Sequence, residues 1–92
     1  WFKIYQVHLS QKTQDFLNKL YKHIRERIET RLKKLAENPM PSYSKFISRD
    51  QDGDKIFRYR IGDLRALYKV KTNEEIVLIV NIDKRPRIYD RD

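Results

Sequence analysis

The chain has 92 residues, no cysteine and a formal net charge of +8. This length predicts a single domain, residues 1–92, with a modest core, and the lack of cysteine excludes disulfide bonds and thiolate chemistry. The charge favours a polyanionic partner such as nucleic acid, an anionic membrane or an acidic protein, although a basic surface can also serve solubility alone. The longest apolar run, residues 76–80, is too short for a membrane span, and no signal-peptide pattern is present. We therefore expect a cytoplasmic protein without a membrane partner.

The N-terminal half predicts one strand followed by a helical hairpin. Apolar residues alternate over residues 2–9, and Ser10 then suits the N-cap of a helix. Over residues 10–38 the apolar positions recur every three or four residues, the period of an amphipathic helix. A single helix of that length would span about 40 Å, which exceeds the width of so small a domain. We therefore expect a break near residues 21–23.

A loop connects this hairpin to the rest of the chain. Pro39 and Pro41 end the helix, a short strand is possible at residues 45–48, and a polar turn follows at residues 49–54. The three aspartates of that turn resemble a calcium loop, but the twelve-residue pattern that ends in a glutamate is missing, which favours a turn. His8 and His23 have no partner at a suggestive spacing. We expect no metal site and no cofactor.

The segment at residues 55–70 predicts a β-hairpin with a basic face. Its two strands meet at Gly62, which tolerates the backbone of a tight turn. Apolar residues of both strands share one face, whereas Arg58, Arg60 and Arg65 share the other. Since like charges repel, three guanidinium groups on one face indicate that an anion binds among them.

The last predicted strand, residues 75–82, is apolar on both faces, as interior strands tend to be. The order β-α-α-β-β-β predicts an α+β fold, with a three- to four-stranded antiparallel meander packed on the helices. Two helices can cover one face of this sheet. Leu67, Val77 and Ile79 are predicted to point to the other face, where an apolar groove would accept a partner protein.

The hairpin sequence also resembles a known family. Residues 57–68 have the pattern F-R-Y-R-x-G-D-x-R-x-x-Y, residues 84–89 read K-R-P-R-I-Y, and the second predicted helix contains R-x-R-I-E at residues 25–29. These motifs, in this order of elements, resemble the RelE/ParE superfamily of toxins from type II toxin–antitoxin systems. The likeness spans essentially the whole chain and is nearer to the RelE branch.

The resemblance implies an activity and its residues. RelE-like toxins enter the ribosomal A site and cut mRNA there, leaving a 2′,3′-cyclic phosphate. The positions that match the family's catalytic residues are Arg58, Arg65, Arg85 and Tyr89, and those expected to bind RNA beside them are Lys55, Arg60, Lys84 and Arg87. The implied partners are the ribosome with its mRNA and a cognate antitoxin, which we expect in the groove of Leu67, Val77 and Ile79.

Two other functions remain open from the sequence. A ParE-like toxin would bind DNA gyrase without cutting RNA, although such members usually lack part of the catalytic set retained here. A plain RNA-binding module would use the charge together with aromatic residues such as Tyr43, Phe46, Tyr59 and Tyr89. Cutting of mRNA, inhibition of supercoiling, or binding of single strands without cleavage would separate these possibilities.

Overall fold

The structure, a computed structural model, describes residues 4–84. In chain order the elements are β1 (Gln6–Leu9), α1 (Gln11–Asn18), α2 (Lys22–Lys33) with a 3₁₀ turn (Lys34–Ala36), β2 (Ser44–Arg49), β3 (Lys55–Ile61), β4 (Leu64–Lys71) and β5 (Ile76–Lys84). This is the predicted α+β arrangement of a strand, two helices and an antiparallel meander, and the possible strand at residues 45–48 is real. The meander therefore has four strands.

The helical hairpin begins and breaks where the sequence predicts. The hydroxyl of Ser10 caps α1 by accepting a hydrogen bond of 3.1 Å from the backbone amide of Thr13. The chain leaves helical geometry after α1, and Tyr21 takes an extended conformation as the N-cap of α2. Two short helices can each turn a buried stripe toward the sheet, which one straight helix could not do over so small a surface. Within the described residues no helix is long and apolar enough to cross a membrane.

The five strands form one sheet in the order β1-β5-β4-β3-β2. The first strand pairs in parallel with β5, and all other neighbours are antiparallel. The strand β5 thus lies between β1 and β4, in the interior position that its continuous apolar sequence predicts. Gly62 makes the turn between β3 and β4 with a φ of 58°, a value that glycine adopts readily.

The helices cover one face of the sheet and enclose the core there. Tyr59 and Tyr68, from the two central strands, are fully buried, and they pack with aliphatic residues of α1, α2 and β5. The hydroxyl of Tyr68 donates a hydrogen bond of 2.8 Å to the carbonyl of Pro39, which joins the loop after the helices to the sheet. The other face carries no helix in the described part of the chain, and we call it the open face.

The predicted apolar groove is wrong in two of its three residues. Val77 and Ile79 are completely buried on the helix side, and β5 instead presents Ile76 and Leu78 to the open face. The alternation of side chains along a strand explains the difference, because a shift of the strand by one residue moves every side chain to the opposite face of the sheet. The pairing of β4 with β5 also shifts register once, which keeps Val77, Ile79 and the later Ile82 all in the core.

Leu67 is the exception among the predicted groove residues. It stands opposite Arg58 on the open face and is partly exposed. The partly exposed apolar residues of β4 and β5 on the open face thus include Leu67, Ile76 and Leu78, in place of the predicted set of Leu67, Val77 and Ile79.

Candidate functional site

The predicted arginines share the open face. Phe57, Tyr59 and Ile61 are buried on the helix side, so the intervening Arg58 and Arg60 point away from the helices. Arg60 is paired in register with Arg65 on β4, and Arg58 with Leu67. Directly opposed residues of antiparallel strands have Cα atoms about 4.5–5.5 Å apart. The three guanidinium groups thus belong to one patch, as predicted.

Lys45 extends this patch onto β2. It is exposed and stands opposite Arg58 in the pairing of β2 with β3. The sequence suggested a strand here but gave no pairing partner for it. Only the register shows that Lys45 continues the row of cations.

Charge on the open face is unevenly distributed. At the end near the turn between β2 and β3, the ammonium of Lys69 lies 2.5 Å from Asp50, and that of Lys71 lies 2.9 Å from Asp54. The hydrogen bond from Lys69 lowers the pKa of Asp50, and the bond to Asp54 raises the pKa of Lys71. We call this the neutralised end.

The opposite end of the open face, which we call the arginine end, contains Arg58, Arg60, Arg65 and Lys45. Of these, Arg58, Arg60 and Lys45 have no carboxylate partner within residues 4–84, while Asp83 faces Arg65 in the register of β4 with β5. The side-chain amide of Asn81 donates a hydrogen bond to that Asp83 carboxylate. The arginine end therefore keeps an excess of positive charge, which favours an anionic ligand.

The aspartates of the turn between β2 and β3 come close together, as the sequence pattern suggested for either a turn or a calcium loop. Carboxylate oxygens of Asp50, Asp52 and Asp54 lie within 4.8 Å of one another. Asp50 also accepts hydrogen bonds of 3.0 Å from the amides of Asp52 and Asp54, which is the bonding of a tight turn. Lysines already pair with two of these three carboxylates, so the group fits a turn and an internal ion-pair cluster.

A cleft opens where the arginine end meets the edge of the sheet. It has a volume of about 420 Å³ and is lined by Arg31, Tyr43, Lys45, Arg58 and Arg60. Because β2 begins at Ser44, opposite Tyr59, no strand in the described part of the chain pairs with this edge of β3 beyond that point. We call this opening the edge cleft. Among residues 4–84, four cationic side chains and an aromatic ring line it, and no carboxylate does.

Two residues of the edge cleft come from elements that sequence reasoning treated differently. Arg31 belongs to α2, whose charged face contains none of the predicted site residues. Tyr43 precedes β2 and was considered only as a stacking residue of a plain RNA-binding module. The helical period could not reveal that one arginine of that face reaches the sheet, because this depends on how α2 packs.

Two other predicted site residues, Lys55 and Lys84, do not share the face of the arginines. Lys55 pairs with Val70, and Lys84 pairs with Leu64, so both lie on the helix side of the sheet by strand alternation. Lys55 is also at the far end of β3 from Arg60. They therefore do not lie on the open face, and their predicted role in RNA binding stays a prediction.

Three further predicted residues lie outside the described part of the chain. These are Arg85, Arg87 and Tyr89, which follow β5 in the sequence.

Comparison with known proteins assigns the chain to a class. The family model of the ParE toxin of the type II toxin–antitoxin system parDE matches residues 7–89. A protein of Methanocaldococcus jannaschii named "Putative toxin RelE1" is 35% identical over 68 residues, which cover 74% of this chain and 71% of that protein. The chain therefore belongs to the RelE/ParE superfamily, as a RelE-family toxin of a toxin–antitoxin system.

Solved structures agree at the level of the fold. The archaeal RelE–RelB complex from Pyrococcus horikoshii OT3 matches with a TM-score of 0.79 and 22% identity, covering 91% of this chain and 98% of that chain. The isolated E. coli RelE toxin matches with a TM-score of 0.70 and 19% identity, covering 95% of this chain and 93% of that chain. Both likenesses cover nearly the whole of each chain, so the predicted RelE-like fold is confirmed.

Proposed function

We propose that this toxin is an endoribonuclease that inhibits translation by cutting mRNA in the ribosomal A site. The observation that carries the proposal is the arginine end of the open face, where Arg58, Arg60 and Lys45 carry charge that no carboxylate of residues 4–84 neutralises. Such a patch is suited to binding the phosphates of a single-stranded RNA. Action on ribosomes would place the toxin in the cytoplasm.

The proposed reaction uses the RNA's own 2′-hydroxyl. Its oxygen attacks the adjacent phosphorus, its proton passes to a base, and the bond from phosphorus to the 5′ oxygen breaks. The products are a 2′,3′-cyclic phosphate and a 5′-hydroxyl, which takes up a proton as it leaves. The protein must align these three atoms and stabilise the extra negative charge of the phosphorane.

Arginine is suited to stabilising the negative charge of the phosphorane. Its planar guanidinium donates two parallel hydrogen bonds to phosphate oxygens, and it stays charged at physiological pH, which makes it a poor base. We assign Arg58 and Arg65 to the scissile phosphate, with Arg60 supporting them. By the resemblance, Arg85 would stabilise the leaving oxygen and Tyr89 would act as the base or orient the reacting groups.

The proposed regulator is a cognate antitoxin. The similar chains from Pyrococcus horikoshii and Mycobacterium tuberculosis are toxins in complex with their antitoxins, which supports the same kind of partner for this chain. The net charge of +8 favours an acidic one. Co-expression with the neighbouring open reading frame, followed by purification through a tag on the toxin, tests this partner directly.

Primer extension on an mRNA in a purified translation reaction tests the activity. We expect cuts at codon spacing that require ribosomes and that Arg58→Ala greatly reduces. Arg27→Ala is the matched control, since this exposed arginine lies on α2 and does not line the edge cleft. Intact mRNA in the presence of a toxin that still arrests growth would contradict the proposal.

Gyrase inhibition is the second candidate, because the family model that matches the chain is described as ParE. A supercoiling assay with purified gyrase separates the two functions. Inhibition of supercoiling without any cleavage of mRNA would indicate that the arginine end binds a protein.

A further inference from the structure

The edge cleft contains an arginine held by a buried tyrosine. The Nε atom of Arg31 donates a hydrogen bond of 3.1 Å to the hydroxyl of Tyr59, and the guanidinium carbon lies 5.6 Å from the centre of that ring. Because Tyr59 is completely buried, it provides a fixed anchor on one side of Arg31. The bond uses only Nε, and the two terminal nitrogens have no hydrogen-bond or carboxylate partner within residues 4–84.

This anchoring prepares Arg31 to bind an anion. A long side chain normally loses rotamer freedom when it binds a ligand, and a guanidinium that is already held loses less. Its free edge presents parallel N–H groups that match two oxygens of a phosphate. Since the residue lines the edge cleft together with Arg58 and Arg60, that phosphate would lie close to the arginine end.

Tyr43 supplies a flat surface beside this arginine. Its ring centre lies 5.1 Å from that of Tyr59 at an angle of 39°, yet Tyr43 is 55% exposed. A tyrosine phenol is ordinarily neutral at physiological pH, and the hydrogen bond with Tyr59 raises the pKa of Tyr43 further. A neutral, exposed ring supported on its inner side is suited to stacking with a nucleobase, and stacking tolerates any base.

The strand geometry sets these two residues next to the phosphate-binding arginines. Tyr59 lies between Arg58 and Arg60 on β3, and alternation sends its side chain to the helix side while theirs point to the open face. Two residues along a strand span about 7 Å. The edge cleft therefore connects the arginine end with Arg31 and Tyr43 around the unpaired edge of β3. A single-stranded RNA could follow that path.

We propose that Arg31 and Tyr43 form a subsite for the nucleotide next to the scissile phosphate, in which Arg31 binds the neighbouring phosphate and Tyr43 stacks on its base. This inference rests on the proposed function, because it takes the ligand to be single-stranded RNA. The subsite adds two residues from outside the hairpin of β3 and β4 to the residues proposed to bind RNA.

Equilibrium binding tests the subsite apart from catalysis. The probe is a short fluorescent RNA with 2′-O-methyl groups throughout, which lacks the attacking hydroxyl, and its anisotropy is followed at several salt concentrations. We expect Tyr43→Ala to weaken binding roughly 5- to 150-fold and Tyr43→Phe to bind like the wild type. We expect Arg31→Gln to weaken binding and to lower the slope of log K against log salt by about 0.7.

Matched controls separate the subsite from general charge and folding. Arg27→Gln removes the same charge one helical turn earlier, and Tyr21→Ala removes another exposed ring, 77% exposed at the start of α2. Both should bind within about twofold of the wild type, because neither residue lines the edge cleft. Arg31→Gln and Tyr43→Ala each remove a contact with the buried Tyr59, so the folding of both is checked by thermal unfolding. Tyr43→Phe keeps the ring against Tyr59 and serves as the conservative variant.

The outcomes distinguish the subsite from the proposed function. Wild-type affinity in both Tyr43→Ala and folded Arg31→Gln would refute the subsite even if ribosomal cleavage is intact. Weakened binding in these variants, with no mRNA cleavage by the wild type, would support Arg31 and Tyr43 as RNA-binding residues but refute the nuclease and hence a scissile phosphate beside them. A wild-type protein that does not bind the RNA at low salt would refute the subsite as well.

Discussion

Arg60 on β3 and Arg65 on β4 stand directly opposite each other on the face of the sheet that the helices leave uncovered. Two like charges in direct cross-strand register destabilise a sheet unless something else compensates for them. Asp83, which faces Arg65 from β5, supplies part of this compensation. Arg60 is exposed at the edge cleft, where its positive charge can attract an anionic ligand.

Substitution of Arg65 tests whether it stabilises charge in the transition state. We expect Arg65→Ala to slow mRNA cleavage roughly 10²- to 10³-fold, the usual effect of losing one preorganised donor. Arg65→Lys should recover only part of this, since an ammonium cannot donate two parallel bonds. Single-turnover cleavage at saturating ribosome concentration measures both. A lysine variant as fast as the wild type would show that charge alone suffices there.

The uneven charge of the open face predicts an uneven response to salt. Lys45→Gln should lower the salt slope of RNA binding by about 0.7, because this lysine has no carboxylate partner within residues 4–84. Lys71→Gln should change the slope much less, since its ammonium already bonds to Asp54 at 2.9 Å. Anisotropy titrations at several salt concentrations compare the two. Equal slopes in the two variants would mean that RNA does not distinguish the two ends.

The buried hydroxyl of Tyr68 predicts a loss of stability without loss of the site. Tyr68→Phe leaves the carbonyl of Pro39 without its donor, so the free energy of unfolding should fall by about 1–3 kcal/mol. Urea denaturation measures this change. RNA binding near neutral pH should stay unchanged, since Tyr68 is buried on the helix side and does not line the edge cleft.

The correction to the predicted groove can be checked by truncating its residues. Ile79→Ala should lower the free energy of unfolding by about 2–5 kcal/mol, as is usual for a completely buried isoleucine. Leu67→Ala should cost clearly less, because Leu67 is partly exposed on the open face. Urea denaturation of both variants gives the comparison. Similar losses would indicate that the open face is covered in solution.

The ion pairs of the neutralised end predict how stability depends on pH. The pKa of Asp50 is lowered, so its pairing with Lys69 contributes above the unfolded-state pKa, near 4, and is lost as the pH falls through the lower folded-state value. The pKa of Lys71 is raised, so its pairing contributes below about pH 10 and is lost as the pH rises through the higher folded-state value.

Asp50→Asn tests the loss of stability at low pH. The amide oxygen can still accept the turn hydrogen bonds from Asp52 and Asp54, so mainly the charge is removed. Denaturant midpoints of variant and wild type should differ at pH 7 and converge near pH 2. A difference that persists at pH 2 would assign the effect to the turn itself rather than to the ion pair with Lys69.

Local patterns were enough to predict the elements and one face of the site. The alternation around Tyr59 placed Arg58 and Arg60 on the side away from the core, and the hydroxyl of Ser10 marked the start of the first helix. The length of the helical pattern required a break, although no glycine or proline marks it. These features depend on residues close in sequence, whose geometry is set by the period of a strand or helix.

Only the tertiary structure decided the features that join distant elements. Strand β5 is apolar on both faces, so its sequence could not show that Val77 and Ile79 face the helices; pairing with β4 and its register shift decided this. The ion pair between Lys69 and Asp50 depends on how a turn folds over the sheet. Likewise, Arg31 enters the edge cleft only because α2 packs against Tyr59. Side chains far apart in sequence meet through packing, and that is a property of the whole fold.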